Sequence, residues 1–551
     1  MFLKYFIRKL QYITGFRKAV RTPEETHKEA HWKPEETESG TSEEKEKEPM
    51  KAELKDNLGQ LLDMLGNSND VKKHVFRFGP DNTLSGALVF IDGLADSKTI
   101  TDAILRPLIT TRMKGLASLK GENLLDAVSE NALFSGDVET VESLSELAAG
   151  CLSGDTALLL EGCQAGLIIS SKGWEKRGVS EPQSEAVVRG PREGFTENLR
   201  TNTSMIRRKI HHGKLIAEQL TVGRKTRTGI CLMYLDGVAN PDVVKKVKYR
   251  IENLEVDSIL ESGYIEEYIE DAPFSPFSTI GYSEKPDVVA SRILEGRVAI
   301  VVDGTPFVLT APMLFIESFQ STEDYYVRPL YASLVRILRF IAFFIAVFGP
   351  AVYIALTVFH QEMIPTTLLF TIANAREGTP FPVFIETAIM VITFEILREA
   401  GVRLPRPVGQ AISIVGALVM GDAAVSAGLV GAPVVIAVSL TAVSGFLVPN
   451  QYDAASMLRI IMMILAALIG GYGISMGFLG LLIHLASLTS FGVPYFQGLS
   501  FSRNLEDAVV RMPLWTMVKR PKGIAYHDIT RRRFFIPPLR PHQDEDGQKE
   551  N

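Results

Sequence analysis

Four side chains in the second half of the chain stand where charge is otherwise scarce: Glu386, Glu395, Asp422 and Ser426. Residues 408–448 hold a single charged residue, Asp422, while Phe340–Phe359 and 460–502 hold no Asp, Glu, Lys or Arg. A carboxylate surrounded by hydrocarbon is destabilised unless it meets water, a cation or a partner. Around Asp422 the residues are small (GDAAVSAGLVGAP). Small residues allow two arrangements: close helix pairing with a protonated or hydrogen-bonded acid, or a narrow wet path lined by Asp422 and Ser426 that attracts cations. Both readings stand at this point. Glu386 lies well inside its apolar segment, and Glu395 is close enough to an end to reach Arg398.

Signatures of catalysis are missing. The sequence has no phosphate loop, nucleophile elbow or paired-histidine metal motif, and no cofactor is implied. His211 and His212 adjoin Arg207, Arg208 and Lys209 and read as surface charge. Gly471-Tyr472-Gly473 is embedded in an apolar run, where helix packing explains it. The three cysteines are too few for a disulfide framework and suit a reducing compartment. A net charge of −6 over 551 residues, without a basic stripe, argues against nucleic acid as a partner.

The elements that would position the four residues are membrane helices. Phe340–Phe359 supplies twenty uncharged residues, about 30 Å as a helix, the thickness of a bilayer core. A first span is predicted over 337–359 with a kink at Pro350, and a second over 381–397. Met363–Ala375 is too short to cross and reads as a re-entrant or interfacial piece. Residues 408–448 are about twice the bilayer thickness and should fold back at Gly431-Ala432-Pro433; 460–502 should break near Gly473–Gly477. Six spans put the 398–407 loop, Arg459 and the basic tail on the side of the soluble domain, and the positive-inside rule makes that side cytoplasmic. Five spans rank second.

Ahead of the membrane part lies a duplication. LVFIDGLAD (88–96) matches LMYLDGVAN (232–240) in character at every position, and ALLLEG (157–162) corresponds to AIVVDG (299–304). Each half reads as an apolar strand, an acid-glycine turn into helices, and a hairpin, in a sheet covered on at least one face. The cleft between lobes is either a ligand site or a plain interdomain contact. At the N-terminus, Leu3, Phe6, Leu10, Ile13 and Phe16 share one helical face opposite Lys4, Arg8 and Lys18, the pattern of a helix lying on an anionic bilayer. The predicted organisation is a basic amphipathic helix (1–20), a disordered acidic tether (21–69), two α/β lobes (70–190 and 191–327, the latter with the connector), a membrane domain of about six spans (328–500) and a basic cytoplasmic tail (501–551). The fold class is thus a duplicated α/β cytosolic domain followed by an all-α polytopic membrane domain.

Three long stretches resemble the A subunit of GerA-type spore germination receptors: SEPQSEAVVRGPREGFTENLRTNTSMIRRKI (180–210), PFSPFSTIGYSEKPDVVASRILEGRVAIVVDGTPFVLTAPMLFIESFQSTEDYY (273–326) and residues 364–430. Arg189, Arg192, Glu193, Glu197 and Asn198 stand in the first of these. The resemblance covers about residues 70–530. It implies a protein of the spore inner membrane that acts with a transporter-like, nutrient-binding B subunit and a lipoprotein C subunit. It further implies homo-oligomers that form a nutrient-gated cation channel. A secondary transporter and a non-conducting scaffold are the competing readings. The first would need inverted repeats in the membrane part, and the repeat found lies in the soluble part.

Overall fold

The computed structural model describes residues 50–530, with interruptions at 80–82, 111–118, 120, 132, 135–136, 174–181, 183–184, 186, 188, 404–420, 498–506, 518–519, 521–523 and 527–529. The predicted amphipathic helix, residues 21–49 of the tether and residues 531–551 of the tail lie outside the described residues.

The duplicated motif becomes two antiparallel sheets of identical plan. Strands β1 (Val71–Phe78), β2 (Leu84–Ile91), β3 (Val138–Val141), β4 (Thr156–Leu160) and β5 (Gly166–Ile169) are ordered β1-β2-β4-β5-β3. Strands β6 (Leu215–Val222), β7 (Thr228–Leu235), β8 (Gly281–Ser283), β9 (Val298–Val302) and β10 (Val308–Ala311) are ordered β6-β7-β9-β10-β8. The apolar runs of the repeat are the inner strands, and β4 and β9 are buried at every residue. Their continuity follows from cover on both faces. Leu88 and Leu158 pack with Ile104 and Leu125 on one side, while Val89 and Leu159 pack on the other with Leu61 of α1 (Leu54–Met64). The second sheet repeats this: Leu232 and Ile300 join one core, Met233 and Val301 the opposite one.

The last residue of each repeat motif is a helix cap. Asp96 accepts from the backbone of Lys98 and Thr99, and Asn240 accepts from Asp242 at the start of the helix Pro241–Glu252. The glycines between strand and cap, Gly93 and Gly237, take φ of +89° and +79°, a region that other residues adopt at a penalty.

The tether as drawn extends too far. Met50 is buried and α1 supplies Leu61 and Leu65 to the first core, because its few aliphatics recur at helical spacing amid the charge. The tail is also less free than expected. Ile524 is buried in the second core, and Tyr526 donates its backbone N–H to Val238.

The helical region begins with α2 (Pro329–Val358), about 45 Å long, with Pro350 inside it. Then come α3 (Thr366–Arg376), with no buried residue, α4 (Val383–Arg403), α5 (Ala432–Phe446), α6 (Tyr452–Ile469) and α7 (Gly471–Ser487). Two segments among the described residues are long and apolar enough to cross a bilayer, Pro329–Val358 and Pro449–Ile469; Ala432–Phe446 and Gly471–Ser487 are apolar but shorter. Three sequence expectations change here. The chain breaks at Gly470 (φ +65°), where a Cβ would stand 2.7 Å from the Phe359 ring, and not at 473–477. Gly473 and Gly477 instead let α7 lie against Leu465 and Met462 of α6. Residues 488–497 leave the helices altogether, as a small hairpin, β11 (Thr489–Ser490) and β12 (Val493–Pro494), against the second lobe. Finally, Arg459 is no loop residue. It sits inside α6 at 3% exposure, since the half-buried Glu395 of α4 supplies it with a partner. Arg398 and Arg403 likewise belong to α4 and not to a loop.

Candidate functional site

The helical region sorts the four candidate residues into two kinds. Glu386, on the first turn of α4, is fully buried; it accepts from Arg376 (3.2 Å), from Thr379 Oγ1 (3.1 Å) and from the Gly431 N–H (3.3 Å). Those partners come from the end of α3, the loop after it and the residue before α5, so one carboxylate ties three segments together. Glu395, two and a half turns further along α4, accepts from Arg459 Nη1 (2.9 Å), Tyr452 OH (2.9 Å) and Ser456 Oγ (3.1 Å) on α6. Arg459 also donates Nε to the Ala346 carbonyl of α2, and Arg398 lies 3.1 Å above the Tyr452 ring. The buried member of each pair, Glu386 in one and Arg459 in the other, must be satisfied in this way, or the site is strongly destabilising.

Asp422 and Ser426 differ. They are exposed on helical residues 421–426, one turn apart, beside exposed Ala423 and Ala427, while Ala424 and Val425 pack inward. Among the described residues Asp422 has no hydrogen-bond or ion-pair partner. The structure thus brings Glu395 to Arg459 and Glu386 to Arg376, and leaves Asp422 and Ser426 together on an open, small-residue face.

The connector residues singled out by sequence act as positioning groups. Arg189 donates its backbone N–H to Glu323 Oε1 (3.1 Å), and Glu193 pairs with Arg208 (2.7 Å) and Lys209 (3.6 Å). Arg192 is exposed on the same segment. The Glu197 carbonyl accepts from Gly304, and Asn198 Oδ1 caps the helix Leu199–Lys209. From that helix, Arg207 reaches across to the first lobe and grips Asp70 with two bonds of 2.8 Å and Ser68 with a third. Backbone closes the gap further: a Cβ on Gly213 would lie 2.1 Å from the Met64 carbonyl oxygen. The lobes therefore meet in a tight contact. An open cavity of about 490 Å³ remains at its rim, crossed by the Glu218–Lys248 pair.

Sequence reasoning missed the joint between the second lobe and the helices. Arg336, fully buried, binds Asp324 (2.8 Å) and Asp507 (3.0 Å); Arg339 binds Asp324 (2.9 Å), and Tyr325 OH donates to Asp507. Burial raises the Asp507 carboxyl pKa, against the pull of Arg336. Above this charge cluster, Phe315 is ringed by Phe277, Phe319, Phe343, Tyr495 and Phe496. In the sequence Arg336 and Arg339 are two charges at the edge of an apolar tract, with nothing to mark their partners as buried. Their signal was present in the acids of STEDYY just upstream.

Glu270, near the same joint but outside the helical region, carries a pH prediction. Burial, then the neighbouring Glu266 and Glu267, push its carboxyl up to about 7. An unfolded glutamate titrates near 4.3. Between those values the folded state holds more protons, so this group's contribution to stability is present at acidic pH and is lost as pH rises toward 7. Thermal unfolding of the detergent-solubilised chain at pH 5.5 and 8 will show Glu270→Gln losing less stability on going to pH 8 than the unaltered chain. An identical pH slope in both would refute the assignment.

Comparison with known proteins gives a consistent picture. The family described as Bacillus/Clostridium GerA spore germination protein matches residues 59–523. Spore germination protein KA of Bacillus subtilis is 45% identical over 87% of this chain and 88% of its own length. An uncharacterized membrane protein of the same organism, YfkQ, is 44% identical over 86% and 91%. Spore germination protein B1 is 39% identical over 88% and 99%. The crystal structure of the N-terminal domain of the A subunit of the Bacillus megaterium spore germinant receptor GerK3 shares 39% identity, with a TM-score of 0.39, over 48% of this chain and 97% of that one.

Proposed function

Because this chain belongs to the GerA family of spore germination proteins, we propose that it is the A subunit of a nutrient germinant receptor and that several copies together form a cation channel of the spore inner membrane. Its partners in this reading are a nutrient-binding B subunit and a lipoprotein C subunit, with the α/β lobes and the tail in the cytoplasm. The observation that supports a conducting role is the contrast among the acids. Glu386 and Glu395 are held by arginines, whereas Asp422 shares an open face of small residues with Ser426. A free carboxylate beside a narrow wet path concentrates cations.

Gating is a population shift. Nutrient binding in the partner favours an open helix arrangement, and a change from 1% to 99% open takes about 5.5 kcal/mol of differential affinity. The joint around Arg336 and Phe315 carries that bias between the second lobe and α2.

The test is monovalent cation release from nutrient-triggered spores with matched protein levels. A unit charge at ion-contact distance is worth between about 1 kcal/mol in water and 4 kcal/mol in a partly dry site. Asp422→Asn will therefore slow release by about tenfold or more, and a bulky Ser426→Leu will block it. Normal release in both variants would favour a non-conducting scaffold. Stoichiometric coupled uptake by the purified chain in liposomes would favour a secondary transporter.

A further inference from the structure

Among the described residues, one large apolar side chain of the second lobe stands almost wholly uncovered. Phe274 is 94% exposed. It stands at the tip of a β-turn closed by the Ser275 N–H to the Ala272 carbonyl (2.9 Å), with Pro273 fixing the preceding backbone angle. The turn is clamped on both sides. Asp271 is bound by Arg250 and by Thr489 Oγ1, and Ser275 Oγ is hydrogen-bonded to His484 Nε2 at 2.8 Å. Two residues past Ser275, the Phe277 ring enters the aromatic core against Phe315 and lies 6.1 Å from the His484 ring. A rigid turn that presents phenylalanine to water forfeits the stabilisation that burying the ring would give.

The height of this turn on the helices is fixed by its neighbours. His484 belongs to the last turn of α7, whose flank exposes Leu479 and Leu482. Phe277 packs with Phe315, which meets Phe343; Phe319 of the same cluster stacks on Phe340 at 4.1 Å. Phe340 opens the uncharged tract of α2. The turn therefore sits level with the end of the apolar belt, on the side of the lobes, where the headgroups of a bilayer would lie. Aromatic side chains are stabilised at that depth.

We propose that Phe274, seated beside Pro273, inserts into the phospholipid headgroup and upper acyl region of the adjoining leaflet, making the 271–278 turn a lipid-contacting foot of the second lobe. The proposal rests on the membrane reading of α2 and α7. Its occupant is the lipid surface itself, by continuity with the exposed apolar flank of α7. Of the four acids near the turn, Asp271 is paired with Arg250, Glu266 accepts from Ser278, burial pushes the Glu270 carboxyl up to about 7, and Glu267 is exposed to solvent.

The experiment uses the full chain in nanodiscs of phosphatidylcholine brominated high on the acyl chain. Its three native tryptophans are replaced by phenylalanine, and single reporters are placed in turn. Phe274→Trp will lose most of its emission to the bromolipid and show a blue-shifted maximum. Leu479→Trp on α7 will behave alike, and Phe134→Trp, exposed on the first lobe, will be unaffected. Quenching at 479 without quenching at 274 overturns the foot while leaving the membrane reading intact. Absence of quenching at 479 as well overturns that reading, and the foot with it. Substitution at so exposed a position leaves the fold untouched, so each outcome reports on location.

Discussion

Arg459→Ala will destabilise the helical region by about 1.5–3 kcal/mol, the range for a hydrogen bond to a charged group, because the guanidinium is buried while the Glu395 side chain stays 31% exposed. The guanidinium is 3% exposed and joins three helices: its own, α4 through Glu395, and α2 through the Ala346 carbonyl. Truncation leaves the half-buried Glu395 carboxylate with neutral hydroxyl donors and a more distant Arg398 at 3.8 Å. It also strips an acceptor on α2 of its donor. Pairing Arg459→Met with Glu395→Leu removes both charges and replaces them with apolar volume, which is often near neutral. The double variant will accordingly unfold at a higher denaturant concentration than either single one. Chemical denaturation of the purified chain in micelles, read as a double-mutant cycle, measures the coupling. Effects that simply add would show that the two side chains do not depend on each other.

Arg336→Ala is expected to loosen the joint between the second lobe and the helices. Arg336 is buried on the inner face of α2, where it holds Asp324 from the second lobe's exit segment and Asp507 from the returning tail. Its loss leaves Asp324 with Arg339 and Asp507 with Tyr325, so the joint keeps weaker ties and loses the one side chain that holds both carboxylates. Hydrogen exchange over residues 320–336 should speed up by about 100-fold, equivalent to ~2.7 kcal/mol of local opening. Residues 71–91 of the first lobe will stay protected. In spores the variant should accumulate normally yet release cations slowly after nutrient addition. Arg336→Lys will not rescue, because a single ammonium cannot span both carboxylates as the planar fork does. Unchanged exchange in Arg336→Ala would show that the joint is held by the Phe315 cluster alone.

Much of the soluble part was legible because its signals are local. An inner strand covered on both faces must be continuously apolar, so ALVFIDG and CLMYLDG declared themselves, and Asp96 and Asn240 fell into register as caps. The edge strands β1 and β6 were not legible. VKKHVFRF buries only Phe76 and Phe78 and keeps Lys73, His74 and Val75 in water, which erases the apolar run. In the helical region composition failed at the points where partners are distant in sequence. Nothing near Arg459 reveals that Glu395, sixty-four residues earlier, will face it. Gly470, Gly473 and Gly477 are equivalent as letters, yet one turns the chain and two admit a neighbouring helix. The aromatic hairpin at 488–497 resembled bilayer sequence because a protein core and hydrocarbon select the same residues.

That hairpin has a consequence for the order in which the molecule is made. Phe491 and Val493 fill the core of the second lobe at 1% and 6% exposure, and Ile524 joins them at 1%. Their strands and helices (215–311) leave the ribosome some two hundred residues earlier, about 10–40 seconds at ordinary rates of synthesis. Throughout that interval the lobe waits with an open apolar seam while every helix of the region is being placed. Only a chain whose segment after α7 has come back to the second lobe can deliver the closing residues. The core of the second lobe is thus completed last, by the final tenth of the polypeptide, after every described helix of the region has been synthesised.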